Sequence, residues 1–251
     1  MRRIAVVNQK GGVGKTTTSI NMAAALAVAE KKVLLVDIDA QANATSGLGV
    51  DNRSLQMSTY DVLSEPSCLK QAIRSTQVAC LDLLPASLDL AGLEIELIDA
   101  QGRESRLRDA LDALNNYDYV IIDAPPSLGL LTLNALVAAQ GVIIPVQCEY
   151  YSLEGLSKLV DTLNRVREAL NPNLEIFGVL LTMYDSRTNL AEQVAGEVKK
   201  HFADKVFSTT IPRNIRLAEA PSFGQTILHY DINSRGAQAY LELAKEVIAR
   251  D

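Results

Sequence analysis

Asn8-Gln9-Lys10-Gly11-Gly12-Val13-Gly14-Lys15-Thr16-Thr17 lies between an apolar run, residues 4–8, and an Ala-rich stretch of helical periodicity, residues 16–30. A strand that runs through a glycine-rich loop into a helix is the context a phosphate cradle needs. The glycines let backbone N–H groups turn toward an anion, and the helix N-terminus adds its dipole. Lys15 is placed to reach β- and γ-phosphates, and the Thr16 hydroxyl to ligate Mg²⁺. Gly11, Gly12, Val13, Gly14 and Thr17 complete the loop. The standard pattern G-x-x-x-x-G-K-[ST] fails at one position: Gln9 stands where its first glycine belongs, and Lys10 is an additional cation.

Outward from the loop, short apolar runs alternate with helical stretches. Residues 32–37, 81–85, 119–123, 142–146 and 177–182 read as further strands. Residues 88–98, 103–115, 130–139, 153–170, 190–202 and 235–248 read as helices. Uniformly apolar strands separated by helices predict a mostly parallel sheet covered on both faces. No linker, repeat or low-complexity tract divides the chain. The expected fold is therefore α/β, one doubly wound domain over residues 1–251.

Ligands in such sheets sit at the carboxyl ends of strands, and two of these ends are acidic. The second strand runs into Asp37-Ile38-Asp39, and the strand at 119–123 closes on Asp123 before Ala124-Pro125-Pro126. Asp37 and Asp39, two residues apart on an extended segment, are expected to face the loop together. An apolar strand ending in Asp123 is suited to hold a Mg²⁺-bound water. Neither segment carries His or Cys, so the chemistry rests on positioning and electrostatics.

The bulk numbers bound the partners. The chain has 251 residues, 24 Lys and Arg against 30 Asp and Glu, and a formal charge of −6. That balance opposes general nucleic-acid binding, so DNA contact requires a local patch or one doubled by dimerisation. Cys68, Cys80 and Cys148 form no metal pattern and read as thiols of a reducing cytosol. The apolar run at the N-terminus is too short for a signal peptide, and no segment has the length of a membrane span.

The loop K-G-G-V-G-K-T resembles the deviant phosphate loop of the ParA/MinD class of ATPases. By itself it does not separate partition ATPases, division-site ATPases, nitrogenase iron proteins and related ligases. Residues 39–49, 144–155, 178–189 and 211–224 resemble the chromosomal ParA/Soj proteins. The resemblance spans residue 3 to about 247, with Ala40 where the family often has Pro and no useful motif over 51–78.

Several roles follow from that resemblance alone. Lys10 would reach a partner's ATP across a sandwich dimer, with Gly12 near the interface. Asp39 would orient the attacking water, and Asp37 would act on the metal side or structurally. Pro212 and Asn214 would contact adenine. Arg187 and Arg216 would contact DNA without regard to base sequence, and Lys199 and Lys200 could extend that patch. The implied partner is a ParB-like centromere-binding protein, and the implied location is the cytoplasm, on the nucleoid. The rival within the class is a MinD-like membrane-associated ATPase. It needs a basic amphipathic C-terminal helix, whereas residues 239–251 carry mixed charge and are expected to pack on the sheet.

Overall fold

The computed structural model describes residues 1–149 and 152–251. Tyr150 and Tyr151, part of the 144–155 run, lie outside the described residues. The strands are β1 (Arg2–Val6), β2 (Val33–Asp37), β3 (Arg74–Ser75), β4 (Leu81–Leu84), β5 (Tyr119–Asp123), β6 (Gly141–Gln147) and β7 (Glu175–Thr182). The helices are α1 (Lys15–Val28), α2 (Asn43–Gly47), α3 (Thr59–Ser64), α4 (Leu69–Ala72), α5 (Leu90–Glu96) and α6 (Arg106–Leu111). They continue as α7 (Leu130–Ala138), α8 (Ser152–Ala169), α9 (Asn189–Phe202), α10 (Ile215–Glu219), α11 (Ile227–Tyr230) and α12 (Arg235–Arg250).

The strands form one sheet in the order β3-β4-β2-β5-β1-β6-β7, parallel except for β3 against β4. Alternate residues of each strand enter opposite cores, as the pleat requires. Ile4, Val6, Leu35, Ile121, Ile143 and Leu180 pack with α1 and α12. Ala5, Val7, Val36, Ile122, Ile144 and Leu181 pack with α3 to α9. This is the doubly wound arrangement expected from the uniformly apolar strands.

α1 explains its own composition. Residues 18–27 are all buried, because the sheet covers one side and α12 the other. Ala23, Ala24, Ala25 and Ala27 let both neighbours approach closely. α12 buries Tyr240, Leu243, Ala244 and Val247 in the same core, so its apolar stripe is spent on packing. Ser234 caps α12 by accepting from the Ala237 N–H at 3.1 Å.

Two expectations need adjustment. The helices expected over 88–98 and 103–115 are shorter, and residues 51–78 hold α3, α4 and the edge strand β3. A two-residue strand and helices of four to six residues carry too little periodicity to be read. Register then fixes the site: Val6 and Asp37 both pair with Asp123, so β1, β2 and β5 end level with one another.

Candidate functional site

The loop after β1 wraps over these level strand ends. Gly12 and Gly14 take positive φ, 73° and 87°, a conformation that costs an L side chain. Gly14 is also the N-cap of α1, and no side chain caps that helix. The first N–H groups of a 14-residue helix are thus left for an anion. The loop is pinned from outside the cradle. Asn8 donates to the Pro145 carbonyl at 2.7 Å, and Thr182 Oγ1 donates to the Val13 carbonyl at 2.8 Å.

Lys15 is only 7% exposed, and its Nζ donates to the Lys10 carbonyl at 3.1 Å. Burial lowers its pKa, while Asp123 and Asp39 act in the opposite direction. Asp123 is fully buried. Its Oδ1 accepts from Ser19 Oγ at 2.8 Å, and its Oδ2 has no hydrogen-bond partner among the described residues. Burial and the neighbouring Asp37 push Asp123 up to about 7, against the pull of the Ser19 and Thr16 hydroxyls. A buried carboxylate with an orphaned oxygen beside a Thr hydroxyl has the donor set and charge that suit a hard divalent cation.

The two aspartates after β2 diverge. Asp37 is fully buried and turned into the protein. It accepts from the Asp39 N–H at 3.1 Å, the Thr45 N–H at 2.8 Å and Thr45 Oγ1 at 2.7 Å. Burial still lifts it to about 6. Asp39 lines the cleft over the loop with Gly11, Lys15, Thr16, Gln41 and Pro126. The expectation that both carboxylates face the loop holds for Asp39 only. β2 ends at Asp37, and the Asp37 carboxylate anchors the segment that carries Asp39.

A second cleft of about 330 Å³ opens from the same loop and is mostly apolar. Pro212, Asn214, Thr182 and Tyr240 line it, with Gly14 and Thr17 from the cradle. Asn214 caps α10, accepting from the Arg216 N–H at 2.8 Å. Met183 lines both clefts with φ of 50°, a left-handed conformation for a residue with a side chain. Neither its position nor its conformation was legible in sequence.

Lys10 is about one-third exposed, and its Nζ stands 3.7 Å from Glu149. Arg187 is exposed after β7 and pairs with Asp185. Arg216 is exposed on α10, pairs with Glu219 and lies over the Tyr230 ring. Lys199 and Lys200 sit in the last turn of α9, while Arg187 precedes its first. At 1.5 Å per residue that is roughly 15 Å of helix, so the lysines stand apart from Arg187 along α9. Arg213 and Arg235, which sequence reasoning did not select, do share a groove with it. Cys68 and Cys148 are buried and Cys80 exposed, all as free thiols.

Acidic strand ends and an uncapped, glycine-gated helix start are the working parts of a P-loop nucleotide hydrolase. A family model described as an AAA domain matches residues 1–176. The chain is 59% identical over 247 residues to the sporulation initiation inhibitor protein Soj of Bacillus subtilis, covering 98% of each. It is 53% identical over 251 residues to the chromosome partitioning protein ParA of Myxococcus xanthus, covering 100% of this chain and 89% of that one. The chain belongs to the ParA/Soj family of chromosome-partitioning ATPases. Among solved structures, a Mycobacterium smegmatis protein described as cobyrinic acid a,c-diamide synthase, with a bound ATP analog and magnesium, matches with a TM-score of 0.87. That match is 40% identical and covers 99% of this chain and 94% of that one. No helix among the described residues is long and apolar enough to cross a membrane.

Proposed function

We propose that this chain binds ATP with Mg²⁺, forms an ATP-dependent sandwich dimer, and in that state binds DNA without sequence preference. Hydrolysis, accelerated by a ParB-like centromere-binding protein, resets the cycle in the cytoplasm on the nucleoid. The observation that carries the reading is the convergence of Lys15, Asp39 and the orphaned oxygen of Asp123 on one uncapped helix start.

The residues divide the work. The loop N–H groups of residues 11–17 and the Lys15 ammonium bind phosphate oxygens. Thr16 and Asp123 would hold Mg²⁺, which supplies charge neutralisation on the phosphates. Asp37 holds the 39–45 segment through Thr45 and thereby aims Asp39 at the attacking water. Pro212 and Asn214 face the base. Lys10 acts on the partner's nucleotide, and making hydrolysis depend on a charge supplied in trans ties turnover to assembly. A Cβ at Gly12 would meet nothing within 4 Å in its own chain, so a side chain there meets backbone strain from the positive φ in its own chain and steric obstruction only from a second subunit.

ATP turnover and dimerisation measured together test the reading, with native chain and Lys10→Ala compared in ATP and ADP. Dimer in ATP alone, lost with Lys10→Ala, supports it. A chain that hydrolyses ATP and stays monomeric at every concentration contradicts it. The membrane alternative is weakened by α12, whose apolar stripe is buried against α1, and flotation with anionic vesicles checks it directly. The likeness to the M. smegmatis protein favours one other reading, amide formation on a cobyrinic acid-like substrate. ATP consumption stimulated by such an acid and an amide donor, and indifferent to DNA, would establish that instead.

A further inference from the structure

α5 (Leu90–Glu96) carries apolar residues on two faces, and the core takes only one of them. Leu90, Leu93 and Leu97 are buried in the core on the α3 to α9 side of the sheet. Leu88, Ile95 and Ile98 are 66%, 77% and 63% exposed. Helical winding begins ahead of α5, because the Leu88 and Asp89 carbonyls accept from the N–H groups of Ala91 and Gly92 at 3.1 and 3.0 Å. Leu88 and Ile95 therefore stand two turns apart on one face, with Ile98 in the turn beyond, as a ridge roughly 15 Å long. Ala91 and Gly92 lie between them. The nearest atom to a Cβ built at Gly92 is the Glu96 Oε1 of the same helix, 3.3 Å away, so no other described element covers the ridge there.

The ridge is firmly mounted and its charge has one sign. Tyr60 of α3 donates its hydroxyl to Glu96 at 2.7 Å. Residues 87–99 hold four acids and no base, and Asp89, Glu96 and Asp99 are exposed. At its start the ridge meets a cleft of about 350 Å³, which Leu88 and Asp89 line together with Leu55, Met57 and Asp61. Arg53 is the single base in that lining. An exposed apolar row of this kind marks a surface for another molecule, and its charge decides which. The same ridge of a second copy would set carboxylates against carboxylates, and an anionic membrane would repel them. A helix with an apolar stripe and Lys or Arg beside it matches both features. Gly92 leaves a notch in which that helix's backbone can come close.

We infer that the α5 ridge docks a protein partner through a basic amphipathic helix. The ridge residues line neither the cleft over the phosphate loop nor the one that faces the base. The surface is thus complete in a single chain, needs no nucleotide, and goes beyond the ATP-gated cycle proposed above. The seated helix lays apolar side chains along Leu88, Ile95 and Ile98, and its cations meet Asp89, Glu96 and Asp99. Both parts are required: apolar burial supplies affinity, while charge sets orientation and excludes acidic helices.

The experiment is fluorescence anisotropy with two labelled model peptides of about 18 residues, both with Leu at i, i+3, i+4 and i+7 spacing, one filled with Lys and the other with Glu. Each is titrated with the native full chain, Ile95→Ser, Asp99→Lys and Val28→Ser, without nucleotide, at low and moderate salt. Val28, exposed at the end of α1, is the control for losing an apolar side chain elsewhere. The native chain is expected to bind the Lys peptide and not the Glu peptide. Ile95→Ser is expected to weaken that binding about tenfold at both salt concentrations, the scale for losing one buried aliphatic side chain. Asp99→Lys is expected to weaken it about fivefold at low salt and less at moderate salt, as screening requires. Val28→Ser binds like the native chain. Ile95 and Asp99 are exposed, so unchanged melting midpoints are expected and confine the comparison to the surface. No binding of the Lys peptide, equal binding of both peptides, or binding that Ile95→Ser and Asp99→Lys weaken no more than Val28→Ser does, overturns the docking surface. So does a dimer formed without nucleotide that Ile95→Ser abolishes, which would make the occupant a second copy. The partition reading is judged separately, by duplex binding in ATP, and survives each of these results.

Discussion

The phosphate cradle and the arginine groove lie on either side of the 212–215 segment and are built on opposite plans. The cradle sets a loop contiguous in sequence over buried charged groups, Lys15, Asp37, Asp39 and Asp123, and its acidic wall is held by hydrogen bonds whose partners are themselves buried. Asp37, Thr45 and Ala86 form one such chain, because Thr45 Oγ1 donates to Asp37 and accepts from the Ala86 N–H at 2.9 Å. The groove is exposed, drawn from residues between 184 and 239, and held by surface ion pairs that water and salt screen. A preorganised site of the first kind suits chemistry, where small displacements are costly. A surface of the second kind suits reversible attachment, where contacts must exchange with solvent.

The contrast predicts large single-residue effects in the cradle and graded ones outside it. Lys15→Ala is expected to reduce ATP turnover by at least roughly 10²–10³-fold, the scale for losing a charge aimed at the transition state, as read by phosphate release. Asp39→Ala is expected to cost about 10²-fold or more in turnover while nucleotide still binds, so that the ATP-bound form accumulates in sizing experiments. Loss of nucleotide binding in Asp39→Ala would instead make that residue part of the cradle's frame. Thr45→Val removes the hydroxyl shared by Asp37 and the Ala86 N–H, and leaving buried groups unpaired costs about 1–3 kcal/mol. At roughly 2–4 °C per kcal/mol for a domain of this size, the melting midpoint falls by several degrees. An unchanged midpoint would show that the Asp37 anchor carries no stability.

The smallest effect belongs to Lys199 and Lys200. Lys200 is already paired with Glu197, and both stand a helix length from Arg187. That separation exceeds a Debye length of roughly 8–10 Å at moderate salt. Replacing both with Ala is expected to change duplex affinity by less than about twofold by anisotropy at moderate salt. A tenfold loss would move the DNA surface onto α9 and erase the distinction between the two regions.

The same contrast explains what sequence could reveal. The cradle is local: Lys10 to Thr17 are consecutive, and Asp39 and Asp123 follow strands that their apolar runs mark. The doubly wound sheet was legible for the same reason, since its buried strands are short, largely apolar runs. Asp37 was harder to place, because where the chain turns after β2 decides which of two carboxylates faces outward. Met183 bridges both clefts through a backbone conformation that no residue type announces. Arg213 and Arg235 stand more than twenty residues apart, and only the packing of α12 beside the 210–215 segment brings them to one groove. β3, two residues long, has no periodicity to read.

Duplex binding by the native chain in ATP, in ADP and without nucleotide, at two salt concentrations and beside Arg216→Ala, tests the central claim most directly. The account predicts binding in ATP alone, weakened steeply by salt and by the substitution. Equal binding in all three states, or none in any while ATP is still hydrolysed, would contradict it.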